Sequence, residues 1–477
     1  MQSSRSVMSM TLFLIAAIVP AARAQQQTPD QSAPPIPAYH SPLASVADNS
    51  NGQDLEPQNL APDTRSLSGA QDLSLGAPVT KHSYWQPYIN VSSILDSNPF
   101  ESSGTTGWTT WTSVSGGIDL HRISGNSNMT LSYLGGGALS NSGTSSNGVI
   151  QHFDFEEKLS FRRWTVSIFD QVSYLPEASF GYGGLGASSP GAGSLGAGFA
   201  PSQTILTPRG QDLTNASVVE VDRFLTARTS LTFVGGYSLL HYFDNGLLDY
   251  GDATFQGGYN YQMTRKDTIA VSYQFSGYRY SNFNQSINGH TVSVSYGRRV
   301  TGRLAFRVSG GPELAYSSIP ITGSKGTTSA SSFMQIYWTA QTGLQYQLRN
   351  AGLGVTYSHR VNGGSGVLAG SLADDVTATA SRKLSRATSG VLNLGYSRNN
   401  GFGVGGPTPS NQTYSYWFGG ATLSRQLGRA LNLNLTYQAQ YQDSNASFCV
   451  GPTCGTSVIR HLVSFGVGWR KQPIPFD

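Results

Sequence analysis

The stretch LNLNLTYQAQY, residues 431–441, alternates strictly between apolar and polar side chains. Successive side chains of an extended strand point to opposite faces, so Leu433 and Leu435 lie on one face and Asn432 and Asn434 on the other. The pattern continues for about ten residues, which is the length at which a tilted strand spans a bilayer. The stretch therefore predicts a membrane-spanning strand with one face in lipid and the other in water.

The C-terminal stretch VSFGVGW, residues 463–469, repeats this pattern with Phe465 and Trp469 on its apolar face. The two stretches in succession predict the closing hairpin of an outer-membrane β-barrel. The composition agrees, because only 12% of the residues are charged, against roughly 25% in an ordinary globular domain. No run after the N-terminus approaches the roughly 18 apolar residues of a spanning helix, so a membrane location requires a closed barrel.

The first 24 residues predict a secretory signal peptide. Arg5 precedes an apolar run at residues 8–19, and Ala22 and Ala24 form a small-x-small cleavage signal. Export of a barrel-forming chain predicts the outer membrane of a Gram-negative-type bacterium, where outer-membrane lipid and the barrel-assembly machinery are its partners.

The remaining chain divides into three segments by composition. Residues 25–83 are rich in Pro, Gln and Ser, are acidic and lack a sustained apolar pattern, which predicts a disordered periplasmic extension. The barrel itself should occupy residues 84–471. Residues 472–477 continue beyond the terminal aromatic as a short tail.

Between residues 84 and 471, alternating segments are separated in turn by short and long connections. Nearly all the short turns carry Arg or Lys, which suits a periplasmic rim, and the long Gly- and Ser-rich connections would be outer loops. They link about 18 strands, with 16 as the alternative, because single-chain bacterial barrels have an even number. The predicted fold is all-β, a transmembrane antiparallel up-and-down β-barrel. Residues 166–174 and 218–224 break the alternation, which leaves their register open.

A barrel of this size encloses an aqueous channel unless something fills it, and residues 25–80 lack the apolar residues to fold a plug. Continuing the alternation gives charged pore-lining candidates: Asp119, His121, Asp154, Glu156, Lys158, Glu220, Asp222 and Arg307. Such charges bias ion passage, but hydrated interior groups of no special function are the alternative. The candidates for interfacial aromatic residues are Trp338, Tyr437, Tyr441, Phe465 and Trp469.

The longest outer loop, residues 177–212, is the third along the chain, and it is rich in Gly and poor in charge. General porins fold their third loop into the barrel to narrow it, and this loop resembles that arrangement in position and length. An external loop is the alternative. The lack of charge departs from the usual porin loop.

Cys449 and Cys454 are the chain's two cysteines, and they flank a Gly-Pro pair that favours a tight turn. In an oxidising compartment this spacing predicts a disulfide. Two thiols without a nearby His would make a poor metal site, so no metal is predicted.

No other motif indicates enzymatic chemistry or a cofactor. The stretch GFGVGG, residues 401–406, fits G-x-G-x-x-G but precedes Pro407, so it opens no helix that could hold a phosphate. No spacing singles out a Ser-His or Asp-His pair, although His152 and Asp154 point the same way along one strand. The net charge of +4 gives no indication of a nucleic-acid partner. We therefore predict neither an enzyme nor a cofactor.

The barrel pattern from residue 84 to residue 470, together with Asp96-Ser-Asn-Pro-Phe100, resembles the outer-membrane β-barrel porin family, including barrels associated with exopolysaccharide export. The short element is similar to the Asp-Ser-Asn-x-Phe sequence near the start of such barrels. The resemblance implies the fold and the location. Three functions stay open: a passive channel for small hydrophilic solutes, an exopolysaccharide-export barrel whose partner is a polysaccharide, and a non-conducting structural or adhesive barrel that displays its outer loops.

Overall fold

The computed structural model describes most of the barrel and a short piece of the chain before it. The described residues are 66–70, 82–97, 107–141, 147–175, 195, 198–201, 204–207, 211–243, 247–281, 285–301, 303–322, 328–348, 350–401, 412–445 and 457–476. The predicted signal peptide and the pair Cys449 and Cys454 lie outside these residues. Within them, no helix has the length and apolar character needed to cross a membrane.

The described strands form a single closed antiparallel sheet. They are β1 (Tyr84–Asp96), β2 (Thr109–Ser124), β3 (Ser127–Ser140), β4 (Gly148–Ser160), β5 (Trp164–Leu175), β6 (Asp212–Phe224), β7 (Thr229–Tyr242), β8 (Tyr250–Gln262), β9 (Asp267–Tyr280), β10 (Ser286–Thr301), β11 (Leu304–Thr322), β12 (Thr328–Gln347), β13 (Ala351–Asn362), β14 (Ser371–Lys383), β15 (Thr388–Gly401), β16 (Thr413–Leu427), β17 (Leu431–Ser444), β18 (Ser457–Arg470) and the two-residue β19 (Ile474–Pro475). Each of the first 17 strands pairs with the next, and β18 pairs with β1, where Ile94 lies opposite Ser464. The predicted up-and-down barrel and its strand number are confirmed.

The short tail at residues 472–477 adds to the closure of the barrel. Its strand β19 pairs with the start of β1, with Ile474 opposite Trp85. The backbone N–H of Lys471 also donates a hydrogen bond to the carbonyl oxygen of Pro87, at 3.1 Å. We call the contact of β1 with β18 and β19 the seam.

The outer face of the barrel is apolar and exposed. Leu435 and Phe465 in neighbouring strands have 48% and 51% of their surface exposed, although a water-soluble protein would bury them. The predicted interfacial aromatics share this face, with exposed fractions of 58% for Trp338, 46% for Tyr437, 39% for Tyr441 and 41% for Trp469. The buried side chains of the same strands are largely Ser, Thr, Asn, Gln and charged residues. A continuous apolar exterior of this kind is suited to lipid.

Replacing Leu435 with Arg tests this assignment of faces. A cation on the lipid face costs about 2–4 kcal/mol near the bilayer midplane, so we expect the variant to unfold from vesicles at lower urea concentration. The neighbouring change Thr436→Arg points into the lumen and is the matched control. Equal destabilisation by the two changes would contradict the orientation of β17.

Candidate functional site in the barrel lumen

The predicted pore-lining residues all share the face of their strands that carries buried polar side chains, which is the inner wall. Two of them, however, help to close the barrel. Asp119 accepts hydrogen bonds from Ser132 Oγ, at 2.7 Å, and from Arg470 in the last long strand. His121 is only 2% exposed and stacks on Tyr84, with ring centroids 5.6 Å apart. Both residues lie on β2 beside the seam, where Asp119 contacts β18 and His121 contacts β1.

His152, Asp154 and Ser173 form a hydrogen-bonded line on the inner wall of β4 and β5. Ser173 Oγ lies 2.6 Å from His152 Nδ1, and Asp154 Oδ2 lies 2.6 Å from His152 Nε2. The order resembles a nucleophile with its base, but the backbone around Ser173 is paired with strands on both sides, so its N–H groups are not available to stabilise an oxyanion. His152 is 5% exposed. The line is best explained as a satisfied polar contact within the wall. Glu156 and Lys158 follow on the same face of β4.

Glu220, Asp222 and Arg307 contact a segment that belongs to the predicted disordered extension. Residues 66–70, which we call the N-terminal segment, lie inside the barrel. The backbone N–H of Ala70 donates to Glu220 Oε2 at 2.5 Å, and Ser66 Oγ donates to Asp222 Oδ1 at 2.6 Å.

The wall also binds the backbone of the N-terminal segment directly. Arg307 Nη2 donates to the carbonyl oxygen of Leu67 at 2.6 Å, and Gln256 Nε2 donates to that of Ser68 at 2.7 Å. Asn260 Oδ1 accepts from both the backbone N–H and the hydroxyl of Ser68, each at 3.1 Å. These five residues of the predicted extension lie in the lumen, and residues 25–65 and 71–81 of the extension lie outside the described residues. The segment is bound through polar groups of the wall, so its own apolar content gave no signal.

The described part of the third outer loop, which connects β5 to β6, also lies within the barrel. Thr254 on β8 donates to the carbonyl oxygen of Gly198 at 3.2 Å. On the opposite side, Gln442 on β17 makes two hydrogen bonds with the backbone of Leu206. Its Oε1 accepts from the N–H of Leu206, at 2.6 Å, and its Nε2 donates to the carbonyl oxygen of Leu206, at 3.1 Å. The described residues of the loop therefore contact opposite sides of the lumen. Of the two positions left open by the sequence, its described residues take the inward one.

The connection between β13 and β14, residues 363–370, packs inward beside the third loop. It contains a short 3-10 helix, Gly364–Gly366, in which Ser365 adopts a left-handed φ of 56°. The hydroxyl of Tyr242 donates to the carbonyl oxygen of Ser365 at 3.2 Å. The hydroxyl of Tyr280 donates to the carbonyl oxygen of Gly363 at 3.1 Å. Ser365 Oγ in turn accepts from the backbone N–H of Thr204, at 2.8 Å. The two loops thus support each other at the long-loop end of the barrel.

The inserted segments explain where the sequence alternation fails. Both doubtful stretches form regular strands, β5 and β6, but their inner faces carry Phe169 and Val218. These apolar side chains pack in one buried cluster with Ala70 of the N-terminal segment and Phe199 of the third loop. An inner wall that faces a packed segment is apolar, as a protein core is, and the strict alternation of a water-filled barrel disappears there.

A polar cavity remains between the two insertions. It has a volume of about 90 Å³ and is bounded by Gly69 of the N-terminal segment and Phe199 of the third loop. Its wall carries Arg307, Arg360 and Glu313 together with serine, threonine and glutamine side chains from β8 to β13. Among the described residues, no cluster of His, Cys, Asp and Glu could hold a metal ion. Arg360 and Glu313 were not predicted from the sequence, although continuing the alternation through β13 and β11 would have turned both inward.

A closed sheet with an apolar exterior, a polar interior and a lumenal cavity defines a transmembrane β-barrel. Solved structures with a similar architecture include OpdQ of Pseudomonas aeruginosa, at 11% identity and a TM-score of 0.40, covering 83% of this chain and 100% of that chain. The outer membrane protein OpdK of the same organism is 8% identical with a TM-score of 0.40, covering 81% and 98%. OccAB4 of Acinetobacter baumannii is 9% identical with a TM-score of 0.39, covering 82% and 98%. No protein-family model and no curated protein sequence matches the chain.

Proposed function

We propose that the protein is an outer-membrane channel for the passive movement of small hydrophilic solutes. The observation that carries this proposal is the polar cavity inside a barrel whose exterior is apolar. A barrel that only displayed loops would not need a polar inner wall of this kind. The wall has both signs of charge, with Arg360 and Glu313 facing one cavity, so it is suited to neutral or zwitterionic solutes as well as to small ions.

Export of a polysaccharide is less consistent with the lumen. A sugar polymer needs a continuous wide path, but both the N-terminal segment and the third loop occupy the barrel. The same filling favours the second candidate function, a non-conducting barrel with a structural or adhesive role. The line of Ser173, His152 and Asp154 does not support enzymatic activity, because the backbone around Ser173 is paired with strands on both sides.

The location and processing of the chain complete the proposal. Residues 1–24 would direct export and be removed, and the barrel-assembly machinery would insert the chain into the outer membrane. Trp338, Trp469 and the other outward-facing aromatics would lie at the membrane interface. A disulfide between Cys449 and Cys454 would brace the last outer loop.

Single-channel recording in a planar bilayer tests the function. We expect the refolded mature chain to give small steps, because the lumen is largely filled, and a variant lacking residues 181–208 to give larger ones. The removed residues include Phe199 and Leu206, which lie across the lumen. Folding is checked by the change in gel mobility on heating. No conductance from a folded variant that lacks both residues 66–70 and residues 181–208 would eliminate the channel and leave the structural barrel.

A further inference from the structure

We propose that the inner wall around Glu220, Asn260 and Arg307 is a peptide-binding site, and that the chain's own N-terminal segment occupies it as a stopper. The proposal rests on the channel function and specifies how that channel is closed. The occupant is a segment of small residues, Ser-Leu-Ser-Gly-Ala, in a turn closed by a hydrogen bond from Gly69 N–H to the carbonyl oxygen of Ser66, at 3.1 Å.

The wall matches the backbone of the segment group by group. Acceptors on the wall face the N–H groups of Ser68 and Ala70, and donors face the carbonyl oxygens of Leu67 and Ser68. The groups that provide these contacts come from β6, β8 and β11. Recognition of consecutive backbone groups by side chains of separate strands indicates a site built for polypeptide.

The wall also leaves room where the segment lies. A Cβ atom on Gly258 would overlap Ser68, and one on Gly297 would lie 2.9 Å from Leu67 Cδ2. Both glycines lie in strands, where glycine weakens the sheet and often marks close approach of another backbone. The adjacent Gly257 differs, because a Cβ there would meet only Phe233 on the outer face, at an ordinary 3.6 Å.

Burial gives the segment the character of a bound ligand. Leu67, Ser68 and Ala70 are 5%, 1% and 0% exposed, which is far from the exposure of a solvated tail. Ala70 packs with Phe199 and Val218, so the segment also contacts the third loop's cluster. Asp222 and Asn260 of the wall bind the segment. They lie two residues from the ends of β6 and β8, at the rim that carries the short turns. The segment therefore lies in the periplasmic half of the lumen, against the wall formed by β6 to β11, and the two loops lie in the other half.

The test compares two neighbouring glycines in the full mature chain. Gly258→Val fills the space that Ser68 occupies, so we expect the N-terminal segment to leave the wall and the unitary conductance to rise several-fold. Gly257→Val adds the same side chain on the opposite face of the same strand, and its conductance should equal that of the parent. Heat-dependent gel mobility confirms that each barrel is folded.

A second arm supplies the ligand separately. In a variant lacking residues 66–70, the acetylated and amidated peptide Ser-Leu-Ser-Gly-Ala, added on the periplasmic side, should reduce the raised conductance in a saturable manner. The rearranged peptide Leu-Gly-Ser-Ala-Ser, of the same composition, is the control and should block poorly. Block by both peptides alike would contradict a specific site.

The outcomes separate the stopper from the channel itself. If removal of residues 66–70 and Gly258→Val both leave the conductance at the parent level, while removal of residues 181–208 raises it, the channel stands and the stopper is wrong. If no variant conducts, including one that lacks both segments, the channel function fails and the stopper with it.

Discussion

Replacing Asp96 with Asn is expected to lower the free energy of unfolding of the barrel by about 3–5 kcal/mol. Asp96 and Arg460 are both fully buried, with 0% of each side chain exposed, and Arg460 Nη2 lies 2.6 Å from Asp96 Oδ2. Arg460 Nε also donates to both carboxylate oxygens, at 3.1 and 3.2 Å. The pair joins β1 to β18, so it fixes the seam on which closure depends. The amide cannot neutralise the guanidinium, and a buried charge would remain without its counter-ion.

The second ion pair near the seam provides the control. Arg470 and Asp119 join the last long strand to β2, but their side chains are 33% and 25% exposed. Solvent screens such a pair, so Asp119→Asn should cost less than about 1 kcal/mol. Urea unfolding in lipid vesicles, followed by tryptophan fluorescence, measures both changes. The double change Asp96→Leu with Arg460→Met should recover much of the loss, because no buried charge remains. Equal effects of Asp96→Asn and Asp119→Asn would contradict the seam's dependence on the buried pair.

Replacing Gln442 with Leu is expected to release the third loop from the far wall and to increase conductance. Gln442 is 1% exposed and makes the two hydrogen bonds that hold the backbone of Leu206. The change leaves a buried N–H and a carbonyl oxygen without their partner, at about 1–3 kcal/mol, which lowers the ratio of bound to released loop by roughly 5- to 150-fold. Open probability in single-channel records measures this shift.

Gln438→Leu is the matched control for the release of the third loop. Gln438 lies four residues earlier on the same inner face of β17, opposite Leu462 and away from Leu206. We expect its conductance to match that of the parent. A rise with Gln438→Leu as large as that with Gln442→Leu would show that loss of polarity in the lumen, and not release of the loop, is responsible.

The alternation of side chains was enough to predict the barrel. A strand in a membrane must pair every backbone group and present one face to lipid, so the sequence must repeat with a period of two. Residues such as Leu435 and Asn434 carry this information locally, and counting the turns then gives the number of strands. The inward direction of Asp154 and Arg307 follows from the same period. The fold and the identity of the inner wall were therefore available from the sequence.

The tertiary structure alone decided which side chains close the barrel and which segments fill its lumen. Asp96 meets Arg460 across 364 positions of the chain, and Ser66 meets Asp222 across 156, separations that no local period encodes. Residues 66–70 are too short and too polar to form a pattern, because the wall supplies their hydrogen-bond partners. Val218 shows the reverse case: its apolar side chain breaks the alternation because it packs against an inserted segment. The alternation of side chains along a strand depends on what lies on each of its two faces. Occupation of the lumen depends instead on hydrogen bonds and packing between residues that are far apart in the sequence.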